Sequence, residues 1–152
     1  MMNESAADRE SQSKFAGWLA QYGEVKETPP GSHYDMSLRT INALYLIEYK
    51  RRHIDTTKTP SLFLELAKAV AVETEAKRLE AIPLFVARCD NAAIVYRINC
   101  LELLKMPISW VPTRVGESGR SGADTDLLVM VPWSATMSLR FFFAPIPILE
   151  AG

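Results

Sequence analysis

Apolar positions recur every three or four residues near the start of the chain. Phe15, Trp18, Leu19 and Tyr22 form one apolar stripe, which predicts an amphipathic helix over residues 6–22. Gly23 follows as a stop signal, and the segment KETPPGS after it interrupts regular structure with two prolines and a glycine.

A second helical pattern is predicted over residues 60–80. Thr59 can cap this helix, and Pro60 suits its first position because the N–H that proline lacks has no partner there. Glu73 and Lys77 are spaced to form an i,i+4 ion pair on the outer side. The positions that predict the buried side are Leu62, Leu66, Ala69, Val70 and Val72.

Apolar runs between and after the helices predict strands. Two of them, residues 34–41 and 44–50, would form a hairpin with Asn42-Ala43 as a two-residue turn. IPLFVARCD and AIVYRIN form a second pair around Asp90-Asn91. A short helix over residues 101–104 precedes the apolar runs LLVMVPW and MSLRFFFAP, which end the sheet. The order α-β-β-α-β-β-α-β-(β) predicts an α/β or α+β fold with a mixed sheet.

Composition narrows the class of protein. The 152 residues suit one domain, and 48% hydrophobic with 23% charged residues are typical of a globular protein. A net charge of −1 gives no overall basic field, although a local patch could still bind nucleic acid. Cys89 and Cys100 lack zinc-site spacing and are expected to be thiols in a reducing cytosol rather than a disulfide. No signal peptide or bilayer-spanning run is evident, so a cytoplasmic protein without a membrane partner is expected.

The predicted hairpin brings charged residues together. Alternate side chains of a strand share a face, so Glu48 and Lys50 point the same way. With the turn at Asn42-Ala43, Ser37 would face Glu48 and Asp35 would face Lys50. Asp35, Glu48 and Lys50 are therefore predicted to gather on one face of the sheet.

Two neighbouring carboxylates repel each other unless a cation lies between them. A hard divalent ion such as Mg²⁺ or Mn²⁺ takes oxygen ligands, which Asp35 and Glu48 can supply together with the backbone carbonyl of Tyr49. Lys50 could then orient or deprotonate a water, or stabilise charge on a phosphate. This combination suits phosphodiester hydrolysis.

A structural interpretation of the same residues stays open. Glu48 and Lys50 could be the solvated end of a strand, with Asp35 and Lys50 as a cross-strand ion pair worth less than about 1 kcal/mol. Leu44 and Leu46 weigh against it, because their phase places Glu48 on an apolar face, where a carboxylate needs a partner.

Asp35 followed by Glu48-Tyr49-Lys50 at the end of an apolar strand, and then by a helix, resembles the PD-(D/E)XK nuclease superfamily. The resemblance covers residues 6–98 and implies a restriction-endonuclease-like three-layer core, in which helices flank a mixed central sheet. It also implies a Mg²⁺-dependent nuclease whose metal is held by Asp35 and Glu48 and whose water is assisted by Lys50. The position before Asp35 is Tyr34 rather than the proline of the motif name.

The resemblance implies further site residues. Many members add an acidic residue from the first helix, for which Glu10 is the best placed candidate, followed by Asp8 and Glu4. Members often add a polar residue from the helix after the motif, and Lys68 or Glu65 could fill that place.

A basic cluster follows the motif, and His33 precedes it. The cluster could contact phosphates beside the metal, or it could be a solvated loop. His33 could touch a phosphate, but an ordinary loop histidine is the favoured interpretation. The tryptophans Trp18, Trp110 and Trp133 could stack bases, although Trp18 is expected in the core. The cluster consists of Arg51, Arg52, His53 and Lys58, with Lys68 as a further predicted nucleic-acid contact.

The sequence thus predicts a metal-dependent nuclease acting on DNA, structure-specific or involved in repair or recombination. The alternatives are an inactive module that binds nucleic acid or protein, and an assembly protein of a phage or mobile element. The segment 101–152 is expected to complete the sheet or to form a homodimer interface.

Overall fold

The computed structural model describes residues 6–112 and 125–143. Four helices and nine strands lie within these ranges, together with a short 3₁₀ turn at Trp133–Ala135. The helices are α1 (Ala6–Leu19), α2 (Leu66–Leu79), α3 (Cys100–Leu103) and α4 (Leu139–Phe142). The strands are β1 (Glu24–Glu27), β2 (Met36–Arg39), β3 (Leu44–Arg51), β4 (Ser61–Glu65), β5 (Ile82–Arg88), β6 (Ala93–Arg97), β7 (Ile108–Pro112), β8 (Thr125–Pro132) and β9 (Met137–Ser138).

A mixed sheet forms the centre of the fold, as the sequence predicted, and it has six strands. Its strand order is β1-β2-β3-β5-β6-β9. β3 and β5 are parallel, and the other neighbours are antiparallel. The parallel pair needs a crossover connection, and this connection contains α2. A smaller antiparallel sheet has the order β4-β8-β7.

Both faces of the central sheet are covered, which gives three layers. One face packs against α1 and α4, and the opposite face packs against α2, α3 and the smaller sheet. Alternation along β3 explains this arrangement: Ile47 and Tyr49 belong to the core under α1, whereas Leu46 belongs to the core under α2. Glu48 and Lys50 share the phase of Leu46 and therefore point to the α2 side.

The predicted register of the hairpin is wrong by two residues. Arg39 pairs with Leu44, so the turn has four residues, Thr40 to Ala43, rather than two. Thr40 stabilises the longer turn because its Oγ1 accepts the N–H groups of Asn42 and Ala43 at 3.2 and 3.1 Å. A shift of two residues moves Asp35 from Lys50 towards Glu48 but leaves every side chain on its predicted face.

The predicted helix over residues 60–80 is wrong in its first part. Ser61–Glu65 is strand β4, paired with β8, and α2 begins only at Leu66. Leu62 and Leu64 are both buried, which is the two-residue period of a strand. Val70, expected in the core, is 46% exposed. The Glu73–Lys77 ion pair is present at 3.7 Å.

Other predicted boundaries also change. The first helix ends at Leu19 rather than at residue 22, and strand β1 was not predicted. In the C-terminal segment, β9 pairs with β6 at the edge of the central sheet, and α4 replaces the predicted end of the last strand. Cys89 and Cys100 are free thiols. None of the helices within the described ranges is long and apolar enough to cross a membrane.

Candidate active site

Glu48 is a carboxylate enclosed by the fold. It sits on β3, between strands β2 and β5, and is only 3% exposed. Its Oε2 lies 3.6 Å from Nζ of Lys50 and 3.8 Å from Nζ of Lys68, which reaches it from α2. Both distances allow ionic attraction but exceed those of an N–H···O hydrogen bond. Oε2 is consequently a buried oxygen without a hydrogen-bond partner among the described residues.

The protonation of Glu48 reflects this enclosure. Burial, and to a lesser extent the nearby carboxylate of Asp35, raise the pKa of Glu48, and Lys50 and Lys68 lower it; the net result is a pKa of about 7. At neutral pH the side chain is therefore divided between a neutral acid and an anion. A divalent cation would favour the anion, because it replaces the hydration that burial removes.

Asp35 is held at the point where β2 and β3 separate. Its backbone N–H donates to the carbonyl of Ile47 at 2.9 Å, and its Oδ2 accepts the backbone N–H of Tyr49 at 2.7 Å. The β2–β3 ladder ends before Tyr49, so the Asp35 carboxylate accepts the Tyr49 N–H in place of a backbone carbonyl of β2. Burial raises the pKa of Asp35, whereas the Tyr49 N–H, Lys50 and Lys68 lower it.

The carbonyl of Tyr49 is directed towards the same opening. In a β-strand the N–H and C=O of one residue point to the same side, and the Tyr49 N–H points to Asp35. The β2–β3 ladder ends at Met36 and Ile47, before it reaches Tyr49. The Tyr49 ring lies on the other face, where its hydroxyl and that of Ser11 are 2.7 Å apart.

This donor set fits a hard divalent ion. It comprises two carboxylates and a backbone carbonyl, and Mg²⁺ is commonly held by one or two carboxylates with water and substrate oxygens. The buried Oε2 of Glu48 supplies an oxygen to which no described residue forms a hydrogen bond. Within residues 6–112 and 125–143, no group of three or more His, Cys, Asp or Glu side chains is arranged to hold a metal. The protein ligands would therefore be Asp35, Glu48 and the Tyr49 carbonyl.

The structure does not bring Glu10 to this site. Its carboxylate pairs with Lys14 at 3.2 Å on α1, which packs against the face of the sheet opposite to Glu48. A ligand role for Glu10 stays a prediction from the resemblance. Asp8 also lies on α1, and Glu4 lies outside the described residues.

The residues of the basic cluster differ in their accessibility. Arg51 is bound internally, because its guanidinium donates to Asp90 Oδ1 and to the carbonyl of Arg88, both at 2.8 Å. His53 Nδ1 lies 3.9 Å from the same Asp90 oxygen and is largely exposed. Lys58 is exposed in the loop before β4. His53 and Lys58 are therefore accessible to a ligand, whereas Arg51 holds β3 to the β5–β6 turn.

Arg52 differs from the surface arginine that the sequence suggested. Its Nε is buried and has no hydrogen-bond partner among residues 6–112 and 125–143, and its Nη2 donates weakly to the carbonyl of Phe63 at 3.4 Å. Burial lowers the pKa of Arg52, while Glu65 and Glu48 act in the opposite direction. Glu65, the last residue of β4, therefore lies close enough to Arg52 to stabilise its charge. Of the two helix candidates, Lys68 is the one whose side chain reaches Glu48.

The remaining predicted contacts are His33 and the three tryptophans. His33 is exposed near Glu75 of α2. Trp133 is fixed in position by a hydrogen bond, which its Nε1 donates to the carbonyl of Thr59 at 2.7 Å. Trp18, expected in the core, is 37% exposed. The side chain of Trp110 lies outside the described part of the structure.

Comparisons with known proteins support the fold. No protein-family profile matches the chain, and no curated protein sequence matches it. Among solved structures, it is similar to Hjc, a Holliday junction resolvase from the archaeal hyperthermophile Archaeoglobus fulgidus. The TM-score is 0.59 with 11% sequence identity, over 88% of this chain and 93% of the resolvase chain. The chain therefore has the restriction-endonuclease-like fold that the D…ExK residues implied.

Proposed function

We propose that the protein is a metal-dependent nuclease that hydrolyses phosphodiester bonds of DNA. The observation that carries the proposal is the buried Oε2 of Glu48, which has no partner at hydrogen-bond distance in the described part of the chain but has two lysine ammonium groups within 3.8 Å. A buried carboxylate in a purely structural role is expected to have its oxygens hydrogen-bonded. The fold shared with a resolvase supports the same function.

Each residue of the site has a distinct role in this proposal. Asp35, Glu48 and the Tyr49 carbonyl bind Mg²⁺ or Mn²⁺, which supplies Lewis-acid activation of water and phosphate. Lys50, whose side chain is 31% exposed, orients the attacking water or stabilises the negative charge that develops during the attack. Lys68, 39% exposed, stabilises negative charge on the phosphate.

The name of the structural neighbour suggests a substrate. That protein is a Holliday junction resolvase, and we propose branched DNA as the first substrate to test here. The net charge of −1 means that DNA must be held by local cations rather than by an overall field. Lys68, His53 and Lys58 are the accessible candidates, and a homodimer would present two sites to two strands.

The deciding experiment combines metal binding with cleavage. Mn²⁺ is titrated by calorimetry into the wild type, Glu48→Gln and the control Glu24→Gln, whose carboxylate is exposed on the edge strand β1. The same samples are incubated with plasmid, linear and four-way-junction DNA. We expect wild type and Glu24→Gln to bind metal and cleave, and Glu48→Gln to do neither.

The opposite result would favour the non-enzymatic alternatives. A folded wild type that neither binds Mn²⁺ nor cleaves any of the DNAs would leave Glu48 with its two lysines as a structural ion pair. DNA binding measured on the same sample would then identify a binding module. Light scattering tests the homodimer, and a large stable oligomer would favour an assembly protein.

A further inference from the structure

A second concave site lies on the face of the central sheet opposite to Glu48. It is a groove between α1 on one side and β5, β6 and α4 on the other, with a volume of about 870 Å³. A cavity of this size accommodates a ligand as large as a nucleotide. The proposed nuclease chemistry does not use it.

A row of aromatic rings forms one wall of the groove. Phe15 stacks on Tyr49 with ring centroids 4.7 Å apart and on Trp18 with centroids 5.9 Å apart. Phe15 is buried, but Trp18 keeps 37% of its surface exposed at the groove. An exposed indole that continues a stack of rings offers a flat surface on which another aromatic ring can stack.

The charged side chains of the groove are mainly cations. Lys14, Arg88 and Arg140 line it, and Glu10 is the acidic residue among the described lining residues. Glu10 is paired with Lys14 at 3.2 Å. The groove therefore has a net positive charge, and the ligand it best complements is an anion.

Arg88 is the cation most available to a ligand. It is exposed at the end of β5, and no carboxylate pairs with its guanidinium in the described part of the chain. Arg140 is engaged differently, because its guanidinium lies over the ring of Phe141, 5.6 Å from the centroid. A phosphate at this end of the groove could receive two parallel hydrogen bonds from Arg88.

We propose that this groove binds a nucleobase that carries a phosphate. The base stacks on Trp18, and the phosphate pairs with Arg88. The ligand is either a free nucleotide or the end of a nucleic-acid strand, since both present the same chemistry. The site goes beyond the proposed nuclease function, because its side chains and those of the Asp35–Glu48 site lie on opposite faces of the sheet.

The test measures binding without metal, so that it is separate from cleavage. AMP and a 5′-phosphorylated deoxytrinucleotide are each titrated by calorimetry, in EDTA, into the wild type, Trp18→Leu, Arg88→Gln and the control Arg39→Gln. Arg39 is an exposed arginine on β2 and does not line the groove. Loss of one stacking or charged contact should weaken binding by about tenfold or more.

Each outcome decides the proposal. AMP binding that Trp18→Leu and Arg88→Gln weaken, but Arg39→Gln does not, supports a free-nucleotide site. Binding of the trinucleotide alone with the same dependence supports a strand-end site. No saturable binding of either probe, or equal weakening by Arg88→Gln and Arg39→Gln, overturns it. Glu48→Gln should bind both probes normally, so failure of the nuclease proposal leaves this result unaffected.

Discussion

Lys68 on α2 places its Nζ 3.8 Å from Oε2 of Glu48 on β3, so a helix and the central sheet meet at one buried carboxylate. Lys50 approaches the same oxygen from within β3 at 3.6 Å. The two ammonium groups are not equivalent, because Lys50 lies on the strand that carries Glu48, whereas the position of Lys68 depends on how α2 packs. Because the two lysines lie on different elements, substituting each one separately tests its function.

Lys50→Gln should abolish most cleavage while metal binding persists. If Lys50 serves the attacking water, its loss should slow single-turnover cleavage by about 10²- to 10⁴-fold. Mn²⁺ affinity should stay within about threefold of the wild type or rise, since a cation beside the metal site has been removed. Lys77→Gln, on the outer side of α2, is the control and should cleave at the wild-type rate. Near-normal cleavage by Lys50→Gln would contradict the assigned role.

Lys68→Gln should weaken binding of the DNA phosphate more than it impairs activation of the attacking water. We expect a weaker dependence of DNA binding on salt concentration, because one phosphate contact is lost. Binding is measured by fluorescence anisotropy with Ca²⁺ in place of Mg²⁺, at several salt concentrations. An unchanged salt slope together with a loss of Mn²⁺ binding would instead indicate that Lys68 mainly supports the fold around Glu48.

Asp35→Asn and Asp35→Ala should differ in stability, but both should be inactive. The asparagine amide retains an oxygen that can accept the Tyr49 N–H, whereas alanine leaves this N–H without its 2.7 Å partner. Asp35→Ala should therefore lower the free energy of unfolding by about 1–3 kcal/mol relative to Asp35→Asn. Urea unfolding measures this difference. Both variants should lose Mn²⁺ binding and cleavage, and metal binding by Asp35→Asn would remove Asp35 from the ligand set.

Two glycines near the first helix provide a matched test of the packing that supports the sheet. A Cβ at Gly23 would lie 2.1 Å from the carbonyl oxygen of Arg39, whereas at Gly17 it would meet no atom of the described residues within 4 Å. Gly23→Ala should lower the midpoint of urea unfolding, because the backbone of β2 must move. Gly17→Ala should stabilise the protein by about 0.5–1 kcal/mol, since alanine favours a helix. Equal midpoints for the two variants would contradict the close approach at Gly23.

The faces of the strands were more predictable than the pairing between them. The alternation of Leu46, Glu48 and Lys50 fixes one face whatever the turn, so an error of two residues in the register kept Asp35 with Glu48. The turn itself was wrong because the hydrogen bonds that Thr40 makes to the loop depend on a rotamer and not on a residue pattern.

Other errors arose where distant segments decide the outcome. Ser61–Glu65 has the apolar content of either a helix or a strand, and its pairing with β8, more than 60 residues away, selects the strand. Arg52 belongs to a polar run in the sequence, yet its Nε is buried in the fold, where Glu65 and Glu48 act on its charge. Sequence spacing could nominate Lys68 beside Glu65, but only packing shows which of them reaches Glu48.

The buried position of Glu48 also predicts how stability depends on pH. Its pKa rises from an ordinary 4.5 to about 7, mainly because of burial. The protonated form is favoured in the folded protein, so the stabilisation that it provides is complete below pH 4.5 and is lost as the pH rises towards 7. At pH 8, the wild type holds an ionised carboxylate that the fold disfavours. Glu48→Gln lacks this cost and should be more stable than the wild type by about 1–3 kcal/mol without metal.

The difference in stability between the wild type and Glu48→Gln should disappear at pH 4, where Glu48 is protonated and resembles glutamine. Urea unfolding in EDTA across pH 4–8 gives the two curves, with Glu24→Gln as an exposed control that should follow the wild type. Saturating Mn²⁺ at pH 8 should reverse the order, because metal binding stabilises only the protein that retains the ligand. A difference between wild type and Glu48→Gln that is the same at pH 4 and pH 8 would show that Glu48 does not titrate in this range.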